Sequence, residues 1–280
     1  MLQYFLNHKY HPSFSRNSQP RLEYICNVDN DASAMPRSMH EHKSLAEILL
    51  VYQGAGIYMI DGKRYTAQKG DIILYNACTV HDEYGGSGMN LATYCIGISN
   101  LQLVNMPLNH ILPAKVSPIL STNDRFDEIY HLFRAIEQES KENQEETASY
   151  LMLALITSIK AILQTNGNEL KNEQSQLAIK IREFIDNNYT EDIHLTDIAA
   201  ATNTNAYYFS HQFKAEIGLS PMKYVILRRL GEAQNLLINT DMTITQISAQ
   251  VGYNNSNYFQ NVFRNALGIT PGDYRRKWTS

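Results

Sequence analysis

The chain has 280 residues, 44% hydrophobic and 19% charged, with a net charge of −4; this excludes a disordered chain and leaves room for two ordinary domains. No run approaches about 18 consecutive apolar residues, and the first ten residues lack the apolar stretch of a secretory signal, so a cytoplasmic protein with no membrane partner is expected. Cys26, Cys78 and Cys95 are scattered and form no CxxC pair, which predicts reduced, packed thiols rather than a disulfide framework or a zinc-thiolate site.

The acidity belongs to the front. Up to residue 174 there are 14 Lys plus Arg against 19 Asp plus Glu, whereas the remainder holds 10 against 9. A charge balance that weak does not by itself indicate nucleic acid, so the pattern of residues must carry the reading.

From Leu22 to Ser99 the apolar residues alternate or come in short β-branched and aromatic runs broken by Gly, Asp and Asn, the pattern of strands. The clearest unit is Ile57 to Ile60, then Asp61-Gly62, then Lys63 to Thr66, because Asp-Gly supplies the positive φ angles of a two-residue hairpin. Further strands are predicted at Glu47 to Tyr52, Asp71 to Tyr75 and Leu91 to Ile98, giving an antiparallel barrel or sandwich. His40, His42, Glu47 and His81 are brought toward one face by this arrangement, since residues two apart on a strand point the same way. Three imidazoles and a carboxylate are able to hold a divalent metal such as Zn, Mn, Ni or Fe(II). They would serve equally as hydrogen-bond partners of a small molecule, or as strand-end caps meeting backbone carbonyls. Tyr52, Tyr58, Tyr75 and Tyr94 are candidates for aromatic walls. The spacing from Met35 to Tyr94 resembles the cupin motifs, and the resemblance implies a small β-barrel with a central pocket.

After Asp124 the period becomes helical. Phe126, Ile129, Tyr130, Phe133 and Ile136 share one face, and Tyr150 to Leu163 form a second helix that is apolar around most of its circumference, which predicts packing on two surfaces or against a second subunit. Thr165 to Ser175 is polar and reads as a linker.

The last hundred residues hold a repeat. Tyr208-Phe209, Phe213-Lys214, Gly218, Ser220-Pro221 and Tyr224 recur fifty positions later as Tyr258-Phe259, Phe263-Arg264, Gly268, Thr270-Pro271 and Tyr274. Each copy reads as a helix stopped by Gly, followed by a Ser/Thr-Pro start. Shorter apolar-periodic segments precede each, at Leu195, Ile198 and Ala199 and at Ile244, Ile247 and Val251, with Thr196, Asp197, Thr243 and Thr245 as oxygens near the helix starts. Helix, short turn, helix is the geometry in which the second helix enters the major groove. With Ile247 to Tyr253, Phe263-Arg264, Gly268 to Pro271 and Tyr274-Arg275, the chain resembles the AraC-type regulators from about Leu177 to Lys277. The resemblance implies two helix-turn-helix motifs joined by a helix at Pro221 to Ile238. It also implies base-facing residues at Asn205, Tyr207, Ser210, His211, Ser256, Asn257, Gln260 and Asn261. Asn and Gln suit the adenine edge, so the second unit should prefer A·T-rich half-sites. Lys214, Arg264, Arg275, Arg276 and Lys277, with Lys223, Arg228 and Arg229 on the joining helix, are candidates for phosphate contacts.

The expectation is a multi-domain α+β chain. A cupin-like ligand-sensing β-barrel spans 1–120, two amphipathic helices for packing or dimerisation 121–165, a linker 166–175, and an all-α domain with two helix-turn-helix motifs 176–280. Double-stranded DNA, a small-molecule effector such as a sugar, a second copy and RNA polymerase are the expected partners. The alternatives are a metal-dependent cupin enzyme or metal sensor fused to a DNA-binding module, and a ligand-independent regulator whose barrel only dimerises. Nothing in the chain marks an additional general acid or base, which favours a regulator that is no enzyme.

Overall fold

A computed structural model describes residues 2–6, 8–28, 37–83, 90–166 and 174–278. Residues 167–173 of the expected linker lie outside the described residues. Among the described residues the front half has nine strands: β1 (Arg21–Val28), β2 (Arg37–His40), β3 (Ala46–Gln53), β4 (Ala55–Ile60), β5 (Lys63–Gln68), β6 (Asp71–Tyr75), β7 (His81–Glu83), β8 (Ala92–Ser99) and β9 (Ile119–Ser121). They form a five-stranded sheet ordered β1-β8-β3-β6-β9 and a four-stranded sheet ordered β2-β7-β4-β5, with antiparallel pairing throughout. The β4–β5 hairpin turns at Asp61-Gly62, both at positive φ, as a primed turn requires.

The larger sheet is covered on both faces, which is why β3 reads as an unbroken apolar run rather than an alternation. Ile48 and Leu50 face one core, together with Ile96 and Ile98 of β8. Leu49 and Val51 face the other, against Tyr58 and Ile60 of the smaller sheet. The period-two rule therefore holds with both phases buried. The first of these cores is closed by α1 (Phe126–Lys141) and α2 (Glu145–Asn166). Ile129, Phe133 and Ile136 of α1 and Met152, Leu155, Ile156, Ile159 and Ile162 of α2 are fully buried in it. By length and hydropathy alone α2 would also cross a bilayer, although no uninterrupted apolar run marks it in the sequence; here its apolar face is spent on the sheet.

The back half is all helical: α3 (Gln176–Asn188), α4 (Leu195–Thr202), α5 (Ala206–Ile217), α6 (Pro221–Asn239), α7 (Ile244–Gln250), α8 (Ser256–Leu267) and α9 (Pro271–Trp278). Asn205 and Asn255, fifty apart, cap α5 and α8 through their side-chain oxygens. Gly218 and Gly268 end those helices in the left-handed conformation, at φ 81° and 74°, where a side chain is disfavoured. Ser220 caps α6 with Pro221 in its first turn. Thr243 and Gln246 form a reciprocal capping box on α7, and Asp197 of α4 accepts the backbone N–H of His194 at 2.7 Å.

The two halves are docked on each other. Met39, Met59 and Val80 of the barrel share a core with Ile181, Phe209, Phe213 and Val225. α6 lies on β2 so closely that a Cβ on Gly231 would overlap the carbonyl oxygen of Met39. Ser38 donates its backbone N–H to Gln234 Oε1 at 2.8 Å, and Arg37 Nη2 donates to Asn235 Oδ1 at 3.0 Å.

Candidate functional site

Each unit of the helical half presents one outer face. On α5 the exposed residues include Tyr207, Tyr208, His211 and Lys214, and on α8 the matching Asn257, Tyr258, Asn261 and Arg264. Phe209 and Phe213, like Phe259 and Phe263, point inward and are fully buried. Tyr207 is 75% exposed and packs its ring on His211 with centroids 4.4 Å apart. Ser256 and Gln260 are half-buried beside this face. Tyr208 and Tyr258, 59% and 61% exposed, were not among the expected base-facing residues, because the Tyr-Phe pair reads as one apolar unit when only spacing is available.

Several expected residues are committed elsewhere. Asn205 accepts the N–H groups of Tyr207 and Tyr208, so its carbonyl oxygen is not free for the two-point contact to adenine. The Ser210 hydroxyl is buried and has no hydrogen-bond partner among the described residues, which removes it from the outer face. Arg275 donates to the carbonyls of Leu237, Thr240 and Met242 at 3.0, 3.2 and 2.7 Å, closing the C-terminal end of α6 instead of facing outward. Arg228 is buried between Glu41 and Asp186, with 2.8 Å to each, and Arg229 donates to the carbonyls of Tyr189 and Glu191. Arg276 pairs with Asp273 but stays exposed, as do Lys214, Lys223, Arg264 and Lys277.

Inside the barrel, β2, β3 and β7 with the adjoining turn bring His40, His42, Glu47 and His81 together, their ligand atoms all within 4.8 Å of one another. His40 and His81 are register partners on β2 and β7, and the His81 ring stacks on Tyr75 at 3.9 Å. The Nδ1 atoms of His40 and His81 lie 2.9 Å from the carbonyls of Ser38 and Thr79. With Nδ1–H donated to those carbonyls, each Nε2 faces the cluster, the orientation a metal-binding histidine needs. Burial holds His40 well below the ordinary imidazole range and His42 down to about 4, so both are neutral near pH 7. Burial would push the Glu47 carboxyl up, but the contact with His81 and the charges of His81, His42 and Arg37 outweigh it and hold Glu47 below the usual carboxylate range. The reverse balance raises His81: burial lowers it, and Glu47 at 3.0 Å more than compensates. Tyr24 donates its hydroxyl to Glu47 Oε1. The Nε2 atoms of His40 and His42 have no hydrogen-bond partner among the described residues. The donor set and its orphaned nitrogens fit a divalent ion bound through nitrogen and oxygen.

Beside this cluster lies a cavity of about 540 Å³. Its barrel wall includes Tyr24, Cys26, Arg37, Tyr58, Glu83 and Cys95, and His42 belongs to both cavity and cluster. Its far wall is Ile238, Asn239, Tyr274 and Trp278, all from the helical half. The contribution of α9 to this wall has no counterpart in the sequence reading, since nothing local to Tyr274 or Trp278 reports a contact with residues near 24 and 37. Tyr52 and Tyr94, expected as cavity walls, pack in tilted contact with each other and with Tyr130 of α1, and Tyr94 donates to Glu137 Oε2 at 2.7 Å. They occupy the helix-facing phase of β3 and β8, one residue out of register with the interior.

Residues 26–155 match the model of the AraC-like ligand binding domain, and residues 198–277 match a helix-turn-helix domain. The chain is 26% identical over 271 residues to the uncharacterized HTH-type transcriptional regulator YdiP of Escherichia coli (strain K12), covering 95% of this chain and 89% of that protein. It is 25% identical over 244 residues to the HTH-type transcriptional activator RhaS of Shigella sonnei (strain Ss046), covering 84% and 86%. Among solved structures, the C-terminal domain of AraT, a response regulator from Geobacillus stearothermophilus, is 30% identical, with 38% of this chain and 88% of that chain covered and a TM-score of 0.37.

Proposed function

Because this chain belongs to the AraC-type transcription regulators, we propose that α5 and α8 read neighbouring major grooves while a small molecule in the barrel cavity controls that grip. The observation that carries the control is the two-sided cavity, whose walls come from the barrel and from α6 and α9. A molecule touching both walls binds the docked arrangement better than any other, which is the differential affinity that a ligand-driven switch requires. Aromatic faces at Tyr24, Tyr58, Tyr274 and Trp278, with Arg37, Glu83 and Asn239 as polar partners, suit a small polyhydroxylated carbon source such as a sugar.

Tyr207, His211, Asn257, Gln260 and Asn261, joined by Tyr208 and Tyr258, face the bases, and Lys214, Arg264, Arg276 and Lys277 the phosphates. With so few outward cations, two copies on two half-sites supply the remaining contacts. His40, His42, Glu47 and His81 would hold a divalent ion at the cavity's inner end. Such an ion would supply Lewis acidity there, and the protein's part is to present three imidazoles and one carboxylate in fixed orientation.

Selection of binding sites from random duplexes tests the DNA half: a motif rich in A·T pairs under α8 is expected, and one dominated by G·C pairs read by that helix would refute it. A thermal-shift screen over sugars tests the sensor half, followed with the emission of Trp278, the only tryptophan. A ligand that stabilises the protein while leaving that emission unchanged would place the effector elsewhere. Elemental analysis before and after His40→Ala and His81→Ala tests the metal.

A further inference from the structure

Scattered along the sequence, two of the three cysteines are brought together by the fold. Cys26 on β1 and Cys95 on β8 are direct partners in the antiparallel register, and both belong to the cavity wall. Direct partners in such a pair have Cα atoms about 4.5 to 5.5 Å apart, within the roughly 4.4 to 6.8 Å that a disulfide spans. β1 is an edge strand of its sheet, so the small approach that an S–S bond requires displaces no further strand. Cys78, by contrast, is exposed, with its thiol donating to the carbonyl of Lys43 at 3.9 Å.

We propose that Cys26 and Cys95 form a redox-sensitive dithiol, converted to a disulfide by a small hydroperoxide that enters through the cavity, and that this conversion alters DNA binding. The inference goes beyond the effector reading, because it needs neither a sugar nor a metal. Cys26 is half-buried and Cys95 buried, so a peroxide entering through the cavity reaches Cys26 first. Its sulfur takes the electrophilic oxygen of the hydroperoxide, the O–O bond breaks, and a sulfenic acid and one molecule of alcohol or water result. The Cys95 sulfur then attacks the sulfenic sulfur, the S–S bond forms, the S–O bond breaks, and the oxygen leaves as water with the Cys95 proton. Two electrons pass from the dithiol to the peroxide. Cys95 Sγ also donates to Glu47 Oε1 at 3.7 Å. Closing the disulfide removes that donor from Glu47, the carboxylate at the centre of the histidine cluster, and reshapes a wall opposite Tyr274 and Trp278. The chemical change therefore lands where the two halves meet.

The test is peptide mapping of the full chain under non-reducing conditions after treatment with hydrogen peroxide and again after dithiothreitol. A linked peptide pair containing Cys26 and Cys95, present after peroxide and absent after reduction, is expected in wild type and in Cys78→Ser but not in Cys26→Ser or Cys95→Ser. Trp278 emission should shift with the linkage, and affinity for the duplex recovered by selection should change by at least about fivefold, the lower edge of ordinary coupling between sites. Irreversible oxidation of Cys26 alone, or linkage through Cys78, overturns the disulfide. Zinc retained by wild type and lost from both cysteine variants would make the pair a metal ligand instead. A clean Cys26–Cys95 linkage that leaves Trp278 emission and duplex affinity unchanged overturns its regulatory role. Because mapping and emission require no DNA, failure of the DNA-reading assignment is distinguishable from failure of the switch.

Discussion

Phe209 and Phe259 stand fifty residues apart at the same place in two units of the same shape, yet the cores they anchor end differently. Around Phe209 the packing runs on into Met39, Met59 and Val80 of the barrel, and Arg182 of α3 reaches Asp61 in the β4–β5 turn at 2.7 Å. Among the described residues, the buried cluster around Phe259 draws only on the helical half, and the second unit meets the barrel across the cavity through Tyr274 and Trp278. One unit is fastened to the sensor by apolar packing and ion pairs; the other faces it over a space that a ligand can fill. Identical local skeletons thus acquire different mechanical roles, and the second unit is the one whose position an effector or a disulfide is placed to change.

The strongest way to break this comparison is to cut the fastening. Arg228→Ala leaves Asp186 and Glu41 facing each other without their shared cation, and unfolding by urea should show a loss of about 3–5 kcal/mol. A loss near the ~1 kcal/mol of an exposed pair would mean that the first unit is not fastened there. The same network makes stability depend on pH. Burial pushes Asp186 up from 3.8 to about 6, against the pull of Arg228, Arg182 and the Tyr224 hydroxyl. A carboxyl with a raised folded-state pKa contributes stability that is fully present below its unfolded value and is lost as pH rises through the folded value. Melting temperatures of wild type should therefore fall between about pH 4 and pH 6 relative to Asp186→Asn, and equal slopes in that window would contradict the assignment.

Gly231→Ala sharpens the comparison because two effects oppose each other. Helix preference favours alanine by about 1 kcal/mol, whereas the added methyl strikes the Met39 and Ser38 carbonyls, an overpacking worth about 1–3 kcal/mol. A net loss in thermal stability is expected, and a net gain would show that α6 and β2 separate freely. On the DNA side, Asn261→Ala should cost about 1–3 kcal/mol and relax base preference at one position, while Arg264→Ala weakens all duplexes alike and lowers the salt dependence by about one phosphate. Quantitative gel shifts at several salt concentrations distinguish the two. The smallest effect is the pair of caps: Asn205→Ala and Asn255→Ala should each cost about 1 kcal/mol of stability. A large loss of base preference with intact stability in Asn205→Ala would restore the role that the cap displaces.

Everything local to a segment was legible in the residues. The Asp-Gly hairpin, the Gly stops at 218 and 268, the Ser/Thr-Pro starts and the buried Phe pairs follow from backbone conformation and side-chain spacing within one or two turns. The convergence of His40, His42, Glu47 and His81 was also within reach, because strand alternation constrains which residues share a face. What tertiary structure alone decided involves the choice between equivalent phases and partners distant in sequence. β3 buries both faces, so its pattern could not say that Tyr52 and Tyr94 point to the helices while Glu47 points inward. Arg228 and Arg275 look like any outward cations until the carboxylates and carbonyls that receive them are brought near. The pairing of Cys26 with Cys95, and the closing of the barrel cavity by Trp278, arise from strand register and domain docking. Those are set by the summed burial of many side chains, and no short stretch of sequence contains that sum.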